Sequence, residues 1–220
     1  FKLASHSATN IELIEYISKK GIQTILSTGM AELDEIQTAV KIFKKHNTPL
    51  ALLHCVSAYP TPLDQCNLKM INKLKKEFNL PVGYSGHELG YLPTIAAVAM
   101  GAKVVERHYT LDNDMTGFDH KMSLNPEEFI SMVKDIRNIQ KVIGSAEKIV
   151  SDTEWITRRK YHVSIASAQA IMSGEKLTKE MITYRNPGTG IPSKNAYKII
   201  GKQAKVDISN DVLLEYDMFE

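Results

Sequence analysis

The 220 residues suffice for one large domain or two smaller ones, and the 43% hydrophobic and 24% charged content is ordinary for a globular protein. A net charge of +2, without basic runs that interleave with aromatic residues, argues against nucleic-acid binding. No apolar stretch approaches the roughly 18 residues of a membrane-spanning helix, so no membrane partner is expected. Cys55 and Cys66 lack disulfide-framework spacing, and reduced thiols in a cytoplasmic protein are expected.

The first two-thirds of the chain alternate strand-like runs with helical patterns. The strand-like runs begin roughly 20–30 residues apart, which is the spacing of a repeated βα unit. The predicted strands are Lys2–Ser5, Thr24–Ser27, Leu50–Cys55, Val82–Ser85 and Val104–His108.

A helical pattern follows each of these runs. Thr9 and Glu12 form a capping-box sequence, which predicts a helix that Gly21 ends. Asn125 and Pro126 are the N-cap and first residue of the last helix of this region. Helices are further predicted over 31–45, 68–78, 92–101 and, after Asn125, to about 142.

Five βα units are compatible with two architectures. One is an open, doubly wound sheet, and the other is the last five units of an eight-stranded TIM-type barrel. No G-x-G-x-x-G sequence follows a predicted strand, so a dinucleotide-binding fold lacks support. Because the chain opens at Phe1 directly on a strand-like run, we expect it to begin within a larger fold.

The pattern changes after Gly144. Residues 146–159 are polar without clean periodicity and are interpreted as an extended linker arm between domains 1–145 and 160–220. The second domain is predicted to be small and rich in β structure. Its expected elements are a β-like run over 163–171, a turn at 173–175, a short helix over 193–200, and a hairpin that pairs 205–208 with 212–214.

Two histidines, His87 and His108, end neighbouring predicted strands 21 positions apart. The apolar segment 92–101 between them is long enough for one crossover helix, so the two strands should be parallel. Both imidazoles can then reach one crevice, where they suit a divalent transition metal with open coordination positions. The alternative is that they are unrelated polar residues at loop starts.

Small hydroxyl side chains recur at the strand ends. Ser5, Ser27, Ser57 and Ser85 lie at or just past the C-terminal ends, where βα barrels build their active sites. Beside Lys2 they can bind a phosphate group, although any single serine at such a place is more typical of a cap or turn.

Acidic residues follow the second histidine. Asp112, Asp114 and Asp119 are candidates for a metal ligand, a sugar-hydroxyl acceptor or an acid–base group, and solvated loop carboxylates are the ordinary alternative. Cys55 also follows a strand end, but no base partner is evident in the sequence, so a nucleophilic role is disfavoured.

Several motifs resemble the sialic acid synthase family, in the family's order and over essentially the whole chain. In the first domain they are Ile25–Met30, Leu53–Pro62, Gly83–Glu88, Glu106–Asp112 and Gly117–His120 with the following Ser123 and Leu124. In the small domain, Arg185–Ile191 is similar to the motif of that family's antifreeze-like (SAF) domain.

The resemblance implies a TIM barrel followed by a SAF domain, in an enzyme that condenses phosphoenolpyruvate with an N-acetylmannosamine-type sugar and releases phosphate. It implies that His87 and His108 bind Mn²⁺ or Mg²⁺ and that Glu106 and Asp119 are catalytic. Arg185 would enter the sugar site of the partner subunit in a domain-swapped homodimer. The implied substrate-binding residues are Lys2, Ser5, Ser27, Ser57, Tyr59, Ser85 and Arg185.

The chain departs from the family pattern in three respects. Gly86 stands where an aspartate is common, and the arginine-rich entry to the small domain is altered over 160–164. The first three βα units, with a strand-end glutamate and a further lysine, have no counterpart. Two other functions are considered: a different phosphoenolpyruvate aldol-type synthase, such as one making a 3-deoxy sugar acid, and a non-catalytic sugar-binding or assembly module. The SAF domain disfavours the first of them.

Overall fold

The computed structural model describes all 220 residues, which divide into two compact units, Phe1–Gly144 and Ser145–Glu220. Judged by length and hydropathy together, no helix qualifies as a membrane span. The strands of the first unit are β1 (Lys2–Leu3), β2 (Thr24–Ser27), β3 (Leu50–Cys55), β4 (Val82–Gly86) and β5 (Val105–Arg107). Its α-helices are α1 (Ile11–Ser18), α2 (Leu33–Lys45), α3 (Lys69–Phe78), α4 (Leu92–Ala99) and α5 (Pro126–Ile143).

The five strands form one parallel sheet whose spatial order, β1-β2-β3-β4-β5, is also their order in the chain. A doubly wound sheet reverses its strand order at a switch point, and this sheet does not. The doubly wound alternative is therefore wrong, and the sheet has the sequential winding of a half-barrel.

The helices cover the sheet through an apolar core. Ile14 of α1, Phe43 of α2 and Leu74 of α3 pack with Leu26 and Leu52 of the strands, and all five side chains are buried. The predicted strands β2 and β3 are confirmed with their bounds. Every residue of β3 and all but Ile25 of β2 are buried, as is typical of parallel strands covered on both faces.

Helix caps explain where the helices begin. The Asn125 side chain accepts the amide hydrogen of Glu128, and the Glu128 carboxylate accepts the amide hydrogen of Asn125. This capping box confirms the predicted start of α5. The predicted capping box from Thr9 to Glu12 is wrong. Asn10 is the N-cap instead, since its side chain accepts the amide hydrogen of Leu13 at 3.1 Å.

The second unit begins with a helix that the sequence analysis missed. The expected extended arm over 146–159 is wrong for its second half, because α6 (Asp152–Tyr161) forms there. Ser151 and Glu154 make a reciprocal capping box, which offsets the lack of an apolar face on this exposed helix. The signal was present in the sequence as Ser-x-x-Glu.

Two antiparallel strands, β6 (Ser164–Ser167) and β7 (Ile182–Arg185), lie at the centre of the second unit. The predicted short helix is confirmed as a 3₁₀-helix, Ser193–Lys198. The predicted hairpin is wrong, because Ile208 pairs with Ile171 and Leu213 pairs with Ala166. These long-range pairings bury a separate apolar core: Ile165, Ile171, Leu177, Ile191, Ile199, Ala204, Ile208, Leu214 and Phe219.

Candidate functional site

One face of the parallel sheet carries the predicted polar side chains. Cys55 of β3 pairs with Ser85 of β4, and Ser85 pairs with Glu106 of β5. Paired residues in neighbouring strands share a face, and the face recurs at every second residue. The same parity places Ser27 on this face through its pairing with Leu53.

A cavity of about 400 Å³ lies at the C-terminal ends of the strands. Ten of the eleven side chains predicted to act in binding or catalysis line it, and Arg185 is the exception. The ten are Lys2, Ser5, Ser27, Ser57, Tyr59, Ser85, His87, Glu106, His108 and Asp119.

A larger cavity, of about 800 Å³, lies at the start of α3. It is lined by Leu68, Met70 and Met100 together with Asp64, Asn67, Lys69 and Lys73, and contains no histidine or cysteine. The strand-end cavity instead gathers histidines, a cysteine, serines and carboxylates in one space, and is the better candidate site.

The Glu106 carboxylate is the centre of the polar contacts in the strand-end cavity. The Lys2 ammonium lies 3.2 Å from Oε2, and the Ser85 hydroxyl donates to Oε1 at 2.8 Å. The Ser27 hydroxyl lies 3.5 Å from the same Oε1. Three side chains predicted to bind phosphate therefore already surround one anionic group.

The two histidines face each other beside this carboxylate. Their ring centroids are 5.1 Å apart. The Nδ1 of His87 lies 2.9 Å from the carbonyl oxygen of Val56, which can only accept, so Nδ1 carries the proton and Nε2 keeps a free lone pair. The Nδ1 of His108 lies 3.5 Å from Oδ2 of Asp119.

Burial and neighbouring groups shift the pKa of both histidines. Burial lowers the pKa of His108, and the Asp119 carboxylate only partly offsets this effect. Burial also acts to lower the pKa of His87, but the Cys55 sulfur 3.9 Å away and the Val56 carbonyl outweigh it and raise the value. The same contact, with a further one from Ser5, lowers the pKa of the Cys55 thiol against the opposing effect of burial.

The residues present fit a divalent metal as an incomplete ligand set. A carbonyl that accepts from Nδ1 is the usual way in which proteins orient a histidine whose Nε2 binds a metal. The chain holds no group of three or more His, Cys, Asp or Glu side chains arranged to hold a metal ion. His87 and His108 can therefore supply two ligands of an open site, with other positions left for water or substrate.

The Tyr59 side chain gives the cavity an aromatic wall. The Tyr59 ring lies 4.2 Å from the His87 ring and 6.0 Å from the Phe118 ring, measured between centroids.

Asp112 and Asp114 lie outside the cavity, and Asp112 instead accepts the amide hydrogen of Asp114 in a turn. Of the three candidate aspartates, only Asp119 lines the site.

Four further cavity residues were not predicted as site residues. They are Ala4, His6, Met30 and Cys55. Met30 has a positive φ of 62°, which is uncommon for a residue other than glycine and marks the tight turn after β2. Cys55 was detectable from its position at a strand end, whereas His6 lies in a short 3₁₀-helix without a distinguishing pattern.

Arg185 belongs to the second unit and is the last residue of β7. Its Nε donates to Oδ1 of Asp211 at 3.0 Å, and both side chains are more than half exposed. The guanidinium also donates to the Thr183 hydroxyl and to the Tyr184 carbonyl.

The first unit is a parallel βα domain with a polar cavity at its strand ends, and the second is a small β-rich domain. Residues 1–148 match the sequence profile of the NeuB family, and residues 162–220 match that of the SAF domain. The chain belongs to the NeuB family and carries a SAF domain.

Named relatives agree with this membership. The chain is 37% identical to the N,N'-diacetyllegionaminic acid synthase of Legionella pneumophila, over all of the chain and 63% of that protein. It is 36% identical to the mouse N-acetylneuraminate-9-phosphate synthase, over 96% of the chain and 59% of that protein. The chain thus spans roughly three-fifths of the length of these relatives.

A solved structure resembles the chain along its whole length. It is a putative spore coat polysaccharide biosynthesis protein E from Chromobacterium violaceum, with a TM-score of 0.79 and 29% identity. The match covers 100% of this chain and 67% of that chain.

Proposed function

We propose that the protein is a metal-dependent nonulosonic acid synthase, which condenses phosphoenolpyruvate with an N-acetylated mannosamine-type sugar and releases phosphate. The observation that carries this proposal is the convergence of ten predicted side chains on one cavity of about 400 Å³. Phosphate-binding hydroxyls, carboxylates and two facing imidazoles lie within this one space, and the family membership supports the reaction class.

Phosphoenolpyruvate would lie over the serine hydroxyls and the Lys2 ammonium. The Ser5 hydroxyl is held in place at this end of the site, because its oxygen accepts the amide hydrogen of Gly29 at 3.0 Å. The hydroxyls of Ser27 and Ser85 can turn from Glu106 to a phosphate oxygen, since a hydroxyl hydrogen rotates freely.

The sugar would enter on the aromatic side, against Tyr59 and Asp119. Carbon 3 of phosphoenolpyruvate attacks the aldehyde carbon of the open-chain sugar, water adds at carbon 2, and the tetrahedral intermediate expels phosphate. A bound Mn²⁺ or Mg²⁺ ion, held by His87 and His108, would supply Lewis acidity toward the aldehyde. Glu106 and Asp119 are the groups that would accept or return protons.

The charge balance supports a contribution from outside this chain. The cavity contains one lysine, Lys2, against two carboxylates, Glu106 and Asp119, and with the trianionic phosphoenolpyruvate the negative charge is in excess even beside a bound divalent cation. Additional cationic groups are therefore needed for tight binding. We propose that the five βα units are the last five of an eight-stranded barrel whose other units supply them.

The domain division proposed from the sequence is a synthase domain over 1–145, a linker over 146–159 and a SAF domain over 160–220. The profile matches over 1–148 and 162–220 support this division.

We further propose a domain-swapped homodimer in which Arg185 reaches the sugar bound by the partner subunit. An exposed guanidinium held by Asp211 is available to donate to sugar hydroxyl or amide oxygens.

The direct test is phosphate release from phosphoenolpyruvate with a panel of acceptor sugars and Mn²⁺. The panel contains N-acetylmannosamine, its 6-phosphate and a diacetamido relative, because the named relatives differ in their product. Mass spectrometry of the nonulosonic acid identifies the acceptor. The protein for this assay contains any residues that precede Phe1 in the full chain.

Two outcomes of this assay would favour the alternative functions. Turnover with a four- or five-carbon sugar phosphate alone would favour a synthase of 3-deoxy sugar acids, and sugar binding without any turnover would favour a non-catalytic module. For the proposed enzyme, removal of the metal and the substitution His87→Ala should each lower turnover by roughly 1,000-fold or more, since a Lewis acid contributes several kcal/mol. Full activity of a folded, metal-stripped protein would rule out the metal's role.

A further inference from the structure

A buried ion pair joins the two strand ends that carry the histidines. Nη1 of Arg107 lies 2.7 Å from Oε1 of Glu88, and the two side chains are 1% and 0% exposed. Glu88 directly follows His87, and Arg107 directly precedes His108. The chemistry proposed above makes no use of this pair.

The pair is held by hydrogen bonds on both sides. Nη2 of Arg107 donates to the main-chain carbonyl of Glu88 at 2.7 Å, so the guanidinium grips the backbone next to His87 as well as the carboxylate. Nη1 also donates to the Thr94 hydroxyl at 3.0 Å, and the Tyr84 hydroxyl donates to Oε2 of Glu88 at 2.9 Å. Both carboxylate oxygens and both terminal guanidinium nitrogens therefore have partners.

A buried ion pair of this kind contributes little net stability to a fold. Burial of two charges carries a large desolvation penalty, and apolar side chains of similar volume often stabilise a protein equally well. Nε of Arg107 is buried without any hydrogen-bond partner, which adds to the cost. A network of this kind directly beside both histidines in the sequence points to a role in geometry rather than in stability alone.

A glycine makes room for the carboxylate. A Cβ atom added to Gly86 would lie 2.6 and 2.9 Å from the two oxygens of Glu88 and 2.8 Å from a ring carbon of Tyr84. Gly86 is paired with Arg107 across β4 and β5. The Glu88 side chain thus folds back over its own strand, and any side chain at position 86 would displace it.

We infer that Glu88 and Arg107 are positioning residues that set the separation and orientation of His87 and His108. The pair ties the end of β4 to the end of β5, and each of its members is one peptide bond from a histidine. The inference rests on the proposed function, in which the two imidazoles bind one divalent cation.

The test measures Mn²⁺ binding to the metal-stripped protein without substrates, by electron paramagnetic resonance of the free ion. In the double variant Glu88→Leu/Arg107→Met both charges are removed together, and in Gly86→Ala both residues remain while the carboxylate is displaced. We expect the Kd for Mn²⁺ to rise about 10- to 100-fold in both, the usual effect of losing a group that orients a metal ligand. Glu15→Gln, which removes an ion-paired carboxylate outside the cavity, should leave the Kd unchanged.

A third variant covers the case in which the double variant fails to fold. Arg107→Lys keeps the charge but loses the two-pronged contact with the Glu88 side chain and backbone, so its Kd should also rise. A Kd equal to that of the unmodified protein in any of these variants, with near-normal thermal unfolding, would overturn the inference.

A His87→Ala arm separates this inference from the proposed function. If His87→Ala abolishes Mn²⁺ binding and the pair variants do not weaken it, the inference fails alone. If His87→Ala binds Mn²⁺ normally, the histidine site itself is absent, and the inference fails together with the metal step of the proposed function.

Discussion

At the scale of single residues, the Glu106 carboxylate and the phosphate of the proposed substrate require the same hydrogen-bond donors. Glu106 is contacted by Lys2 at 3.2 Å and by Ser85 at 2.8 Å, and these are the groups proposed to bind phosphate. An arriving phosphate must share or take over these donors. The same lysine can stabilise both arrangements, because an ammonium is a flexible point charge with three donor hydrogens.

Replacement of Lys2 by alanine should weaken phosphoenolpyruvate binding selectively. Loss of a hydrogen bond from a charged group costs about 1.5–3 kcal/mol, so we expect KM for phosphoenolpyruvate to rise roughly 10- to 100-fold. KM for the sugar should change much less, because Lys2 lies on the serine side of the cavity. Lys41→Ala, on the exposed face of α2, is the matched control. Equal changes in both KM values would contradict the assignment.

Gly29 should not tolerate a side chain, because serine hydroxyls of the site lie directly against it. An added Cβ would lie 2.3 Å from Oγ of Ser57 and 2.8 Å from Oγ of Ser5. Gly29→Ala must push these hydroxyls aside at a cost of about 1–3 kcal/mol, and KM for phosphoenolpyruvate should rise. Gly21→Ala is the control, since its methyl group meets nothing within 4 Å at a φ of +68°. It should lower the melting temperature without changing KM.

At the scale of elements, helices α1 and α2 are joined by a polar contact as well as by their apolar faces. Glu15 of α1 lies 2.8 Å from Nε2 of His46, at the end of α2, and 3.1 Å from Nζ of Lys45. The hydrogen bond from His46, followed by that from Lys45, holds the pKa of Glu15 below its ordinary value of 4.5. The ionised carboxylate is therefore favoured in the folded protein.

This contact should make stability depend on pH in the acid range. A carboxyl whose pKa is lower in the folded state contributes stability above its unfolded pKa, and loses it as the pH falls through the folded value. Glu15→Gln should therefore lower the melting temperature at pH 6, and the difference from the unmodified protein should shrink as the pH falls below 4.5. Glu147→Gln, at an exposed carboxylate outside the helices, is the control and should leave the melting temperature nearly unchanged. A constant difference at all pH values would refute the electrostatic explanation.

At the scale of the whole molecule, the residues proposed to act on the substrates come from two units with separate cores. The cavity belongs to the parallel sheet of residues 1–144, while Arg185 is carried by the β-rich unit of residues 145–220. An arginine that acts on a partner subunit would make the dimer the smallest active form. Such dependence can be tested by mixing defective subunits.

A mixture of Arg185→Ala and His87→Ala subunits should regain activity if Arg185 acts in trans. Each mixed dimer then contains one site with both defects and one site with neither, so about one of its two sites should turn over. Either variant alone should remain inactive or nearly so. Inactive mixtures, with subunit exchange verified by mass spectrometry of differently tagged chains, would exclude action in trans.

The sequence by itself determined the βα repeat, the strands β2 and β3, the cap of α5 and the side chains at the strand ends. These features are local: they depend on apolar runs, on a cap three residues from its partner, and on the rule that parallel strands end at one edge. The family resemblance supplied the roles that such local features leave open.

Only the tertiary structure decided which distant residues meet. The contacts of Lys2 with Glu106, of Cys55 with His87 and of Ile171 with Ile208 join segments 32 or more positions apart, and nothing local in one sequence encodes such a pairing. The ion pair of Glu88 and Arg107 needed the adjacency of β4 and β5 and the space above Gly86 before it could form. Chain packing brings these groups together, because burial of the apolar faces fixes the strand order and leaves each buried polar group to find its partner across the sheet.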